Sequence, residues 1–110
     1  MRRALSVFFV LMLGVFSSQE ALAWDGIVSG TISRIDVVPA GNLELRVYMD
    51  QAQPWCAGSG VTWAYLNASA SNYEASVAVL NSAFLAGKTV TLYLTTVGSY
   101  CEIGYIAMLR

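Results

Sequence analysis

The stretch WAYLNASASNYE, residues 63–74, changes character halfway along. Its first part carries large side chains on alternate positions. With the two residues before it, it reads as a strand over 61–67, with Val61, Trp63 and Tyr65 on one face and Thr62, Ala64 and Leu66 on the other. Ala68, Ser69 and Ala70 are small and make a turn; Asn67-Ala68-Ser69 has the form of a glycosylation acceptor, but the turn alone accounts for it. Ser71 followed three residues later by Glu74 has the spacing of a capping box, which starts a helix. The stretch is therefore a strand-to-helix joint, and the rest of the chain can be read outward from it.

Downstream, Tyr73, Val77, Leu80 and Phe84 fall at i, i+4, i+7 and i+11, one apolar helix face. Gly87 supplies a left-handed stop, and Lys88 sits near the negative helix end. KTVTLYLTT then alternates, with Val90, Leu92 and Leu94 inward and Thr89, Thr91 and Tyr93 outward. Residues 97–100 form a turn, and CEIGYIAML is a last strand. Upstream, residues 26–38 (GIVSGTISRIDVV) are rich in β-branched residues and read as one strongly curved strand, with Gly30 marking a bend. After a Pro39-Ala40-Gly41-Asn42 turn, NLELRVYMD places Leu43, Leu45, Val47 and Met49 on one face and Glu44, Arg46 and Tyr48 on the other. Residues 50–60 are a Gly/Pro-containing loop that carries Trp55 and Cys56.

The order is β-β-β-α-β-β, mainly β with one α-helix. A curved first strand and a helix between the third and fourth strands predict an OB-fold-like five-stranded barrel with the helix stripe buried at one end. The alternative is an open antiparallel sheet with the helix packed on a face.

The start of the chain reads differently. Met1-Arg2-Arg3, a nearly unbroken apolar run over 4–16 and Ala21-Leu22-Ala23 predict a signal peptide over 1–23. The run is shorter than the roughly 20 residues that span a bilayer, so no membrane span is expected after its removal. Residues 24–110 then form a single domain of 87 residues. A chain this small buries only about 60–65% of its unfolded surface, and small scaffolds of this kind use covalent staples. The two cysteines, Cys56 and Cys101, are expected to pair in an exported chain. A metal site is the weaker reading, because there is no histidine and no CxxC spacing. The localisation expected is therefore periplasmic or secreted.

Without Arg2, Arg3 and Glu20 the chain keeps four basic and six acidic residues, a net charge near −2. No basic patch is available for phosphates, so nucleic acid is not an expected partner. With no histidine, no Ser-His or Cys-His nucleophile can be built. The carboxylates are scattered, and no phosphate or metal loop occurs. No catalytic residue, cofactor or metal ligand is assigned.

The segments WAYLN, SNY, GKTVT and CEIGYI together resemble a group of small exported bacterial proteins without an assigned activity, over most of residues 26–106. More distantly, Ala86-Gly87-Lys88-Thr89-Val90-Thr91-Leu92-Tyr93 is similar to the helix end and following strand of receptor-binding subunits of subtilase-cytotoxin and pertussis-like toxins. That resemblance implies an OB-fold, a disulfide and a glycan-binding role within a ring of five subunits. The glycan-contacting motifs of those toxins do not align here, so no site residue carries over.

The aromatic residues are the remaining candidates. Trp and Tyr stack on sugar faces while their polar atoms bond hydroxyls. Trp55, in its loop beside Cys56, is the first candidate, against packing over the disulfide as a lid on the barrel end. Tyr48 and Tyr93, outward on their strands, are the others. Trp63 and Tyr65 read as core or subunit interface, and Tyr73 as core. The function expected is an exported, non-catalytic module that binds a glycan or a protein surface and admits a homo-oligomer. The alternative is an envelope interaction or stability protein without a small ligand.

Overall fold

The computed structural model describes residues 24–110; the predicted signal peptide over 1–23 lies outside the described residues. Five strands and one helix are present there: β1 (Gly26–Val37), β2 (Leu45–Met49), β3 (Trp63–Leu66), α1 (Tyr73–Ala86), β4 (Thr89–Val97) and β5 (Tyr100–Met108). The strands pair in the closed order β1-β2-β3-β5-β4. The fold is mainly β with one helix, an OB-fold-like five-stranded ring, rather than an open sheet. All pairings are antiparallel except the seam between β3 and β5, a short parallel contact at Tyr65 and Glu102.

The first strand serves two neighbours. Its opening half pairs with β4 and its closing half with β2. Ile32 faces Met49 and Arg34 faces Tyr48, so Ser33 is an extra residue. Such a bulge bends the strand and resets its phase. It lets Ile32 and Ile35, three apart, both reach the core.

The core is aliphatic. Val47, Ala64, Leu80, Ala83, Val90, Leu92 and Leu94 are fully buried. Alternation delivers Val47 from β2 and Val90, Leu92 and Leu94 from β4 as expected. Leu43, expected to continue the inward face, instead precedes β2 with φ +54.

The helix packs against β1, β4 and β5. Its burial centres on Leu80 and Ala83, with Tyr73 and Val77 packed alongside, while Phe84 is 40% exposed. The expected stripe is thus rotated at its end: small Ala83 faces the core and the larger Phe84 is turned outward. The expected capping box does not form. The N-cap is Asn72, with φ +57, and no side chain caps the helix. An N-cap side chain normally acts from an extended backbone. The left-handed Asn72 shifts the start by one residue, and Glu74 acts only as a negative charge in the first turn. The other end is as expected: Gly87 has φ +65, and the amides of Gly87 and Lys88 bond Phe84 O and Ala83 O.

Cys56 and Cys101 form the expected disulfide, which ties the 50–60 loop to β5. Among the described residues no helix is long and apolar enough to cross a membrane.

Candidate functional site

Alternation that sends aliphatic side chains inward leaves the outer faces of β1, β2, β3 and β5 with a different set of residues. Pairing register aligns them in two rows. In the first, Arg34 faces Tyr48 and Tyr48 faces Trp63, and the Trp63 ring lies 5.4 Å from that of Tyr100. In the second, Asp36 faces Arg46, Arg46 faces Tyr65 and Tyr65 faces Glu102. Cross-strand neighbours of this kind are the units that stabilise a sheet face.

The first row is a run of three aromatic rings. Tyr48 and Trp63 have centroids 6.1 Å apart at 38°, and Trp63 and Tyr100 are inclined at 39°. Two guanidinium groups lie on it, Arg34 at 4.7 Å from the Tyr48 centroid and Arg46 at 4.9 Å from that of Trp63. A cation over a ring face at this range is attracted by the ring quadrupole, worth about 0.5–1 kcal/mol at exposed sites. Tyr100, at the far end, is 40% exposed.

The charges around the rings are matched internally. Arg34 donates from Nε and Nη2 to the two oxygens of Asp36, at 2.8 and 2.7 Å. These bonds hold the Asp36 carboxyl below the usual carboxylate range, with the nearby Tyr48 hydroxyl and Arg46 adding to the effect. Arg46 donates to the carbonyls of Leu43 and Asn42, bracing the turn before β2. Burial pushes the Tyr65 phenol up from its ordinary value, and the adjacent Glu102 carboxylate adds to the shift.

A second aromatic cluster occupies the outer face of β4 and β5. Tyr93 faces Tyr105 across the ladder, with centroids 4.9 Å apart, and Trp24 lies against both. Among the described residues no group of His, Cys, Asp or Glu gathers that could hold a metal ion.

Sequence-predicted residues distribute unequally over these surfaces. Tyr48 and Tyr93 face outward as expected, but in different clusters. Trp55 belongs to neither. It is 2% exposed and part of the core, so its ring offers no face to a ligand, and of its two readings the structural one fits the geometry. The Trp55–Cys56 backbone crosses β1 so closely that Gly26 has no room for a side chain. The indole Nε1 makes no hydrogen bond among the described residues. Trp63 and Tyr65, expected as core or interface, point to the side opposite Ala64 and Leu66, which fill the narrow interior. Tyr65 is nonetheless buried there, 3% exposed, as expected, whereas Trp63 is half-buried. Sequence reasoning missed Arg34, Tyr100, Trp24 and Tyr105. The outward parity of Arg46 and Tyr48 was the one signal that leads to the first row, once Trp63 is paired with Tyr48.

No protein-family model matches this chain, and no curated protein matches it significantly.

Proposed function

We propose that this protein is an exported, non-catalytic binding module whose outer sheet face takes an oligosaccharide. The observation that carries the reading is the row of Tyr48, Trp63 and Tyr100 across β2, β3 and β5. Successive rings can stack successive sugar units while hydroxyls bond to the polar groups between them. The strand 2–3 face is also where OB-folds bind oligosaccharides. The resemblance to toxin receptor-binding subunits supports the reading, and the disulfide is compatible with export. Glycan-array binding followed by titration tests it. Trp63→Ala and Tyr100→Ala are each expected to weaken binding about tenfold, in the range of one lost aromatic contact. Retained affinity in both variants, or an array without a retained glycan, sinks the proposal.

A second reading is a protein-interaction or envelope role without a small ligand, with self-association as one form. It is favoured by exposed apolar side chains on β1 and α1, Ile27 at 58% and Val37 at 79% at the two ends of the strand and Leu85 at 84% on the helix. A solution mass above that of one chain favours it; a monomer at all concentrations counts against self-association.

A further inference from the structure

A bulge decides where Tyr105 points. Along β5, Cys101 and Ile103 are buried and Glu102 between them is less so. Strict alternation would send Tyr105 inward after Ile103. The ladder with β4 instead pairs Leu94 with Ile103 and Tyr93 with Tyr105, leaving Gly104 as the extra residue. The phase reverses there. Tyr105 stands outside, 57% exposed, and Ile106 packs against the core. Glycine at the bulge lets the Trp24 ring lie directly over it, since a Cβ there would be 2.4 Å from Cζ3 of Trp24 and would push the ring aside. Bulge and glycine together assemble the cluster of Trp24, Tyr93 and Tyr105, and the ring of Tyr105 is left open on its outer side.

Beside Tyr105 a cleft of about 300 Å³ lies between β5 and the start of α1. One wall carries Ser71, Asn72 and Ser76; the other carries Gly104, Tyr105 and Ile106. No lining residue bears a formal charge at neutral pH. The Asn72 side chain makes no capping bond, so its amide is free to donate and accept. Serine hydroxyls do the same. The volume is at the small end of ligand sites, suited to one ring rather than a chain.

We infer that this cleft is a second binding site, for a single neutral, hydroxyl-rich ring such as a terminal hexose. Tyr105 stacks on the ring, and Ser71, Asn72 and Ser76 meet its hydroxyls. The inference uses none of the residues of the aromatic row on β2 and β3, so the two can fail separately.

The three tryptophans make the test direct. In a proton–nitrogen correlation spectrum of the purified protein each indole N–H gives one signal. Trp24 reports the cleft, Trp63 the outer row and Trp55 the core. D-glucose, D-galactose and N-acetyl-D-glucosamine are titrated separately to millimolar excess. At least one is expected to shift the Trp24 signal saturably while that of Trp55 stays fixed. Tyr105→Ser, at an exposed position, should raise the half-saturation roughly fivefold or more. Asn72→Gly keeps the left-handed backbone while deleting the amide, and should weaken the same response. A Trp24 signal unmoved by all three sugars overturns the site, as does a shift that survives both substitutions. A response at Trp63 alone supports the outer row and overturns the cleft.

Discussion

Gly26 and Gly104 both lie beneath a tryptophan-bearing segment, yet their substitution should behave differently. A Cβ at Gly26 would sit 2.1 Å from Trp55 O and 2.8 Å from Cys56 Cα. That backbone is clamped by the disulfide and cannot retreat, so Gly26→Ala should cost about 1–3 kcal/mol in denaturant unfolding. At Gly104 the obstacle is the ring of Trp24, a side chain already 40% exposed. It can swing away, so Gly104→Ala should cost under about 1 kcal/mol while shifting Trp24 emission to the red. Equal costs would contradict this assignment of rigid and yielding neighbours. Tyr65 gives a pH test. Its phenol is raised above the ordinary 10.0 by burial first and Glu102 second. A raised folded value means that the unfolded chain loses this proton first. The contribution is therefore full below about pH 10 and is lost as pH climbs through the folded value. Tyr65→Phe should flatten the alkaline decline in stability; an unchanged slope rules this residue out as its source. At this scale, parity made Tyr48 and Tyr93 legible as outward residues. Trp55 was not legible, because a loop has no period from which to infer its direction. Tyr105 was hidden by a one-residue bulge that inverts the period.

Among the elements, the 50–60 loop depends most on covalent restraint. Few backbone bonds hold it, among them Trp55 N to Val61 O and Ala57 N to Asp25 O. The disulfide spans 45 residues of sequence. Closing a loop of that length is worth about 4 kcal/mol in the chain-entropy account. A Cys56→Ser, Cys101→Ser double variant should lose about that much stability, with Trp55 fluorescence reporting release of the loop. A loss below about 1 kcal/mol would show that core packing, including Trp55 itself, holds the loop without the bond. Strands β2 and β4 were legible because each alternates over a half-buried face. The helix was legible in extent and C-terminal stop but not in its start. Ser71 and Glu74 match the capping-box spacing, whereas what determines the start is the backbone sign at Asn72, which that spacing does not encode.

For the whole molecule, the element order β-β-β-α-β-β together with the curved first strand anticipated the ring but left an open sheet as the alternative, which the closed strand order decides. It could not reveal the outer rows, because their continuity depends on a parallel seam between β3 and β5, whose register no local pattern specifies. That seam brings Tyr100 beside Trp63 and Glu102 beside Tyr65, and so determines the electrostatic character of the face. Asp36, Arg46 and Glu102 alternate in sign along the second row, and Arg34 is tied to Asp36 from the first. The protein's net charge is also small, −1 over the whole chain. A ligand on this face therefore meets rings and matched charges rather than a field of one sign. Binding through long-range attraction falls steeply as salt shortens the screening length, whereas stacking and short hydrogen bonds do not. Raising sodium chloride from about 50 to about 500 mM should change affinity for a retained neutral glycan by less than about twofold. Asp36→Asn provides the internal contrast. It leaves Arg34 without its partner carboxylate, and should add salt-sensitive binding of acidic glycans without improving that of neutral ones. Strong salt dependence in the unmodified protein would instead mean that an ionic ligand breaks the Arg34 and Asp36 pair, making those two side chains the recognition element and the rings its support.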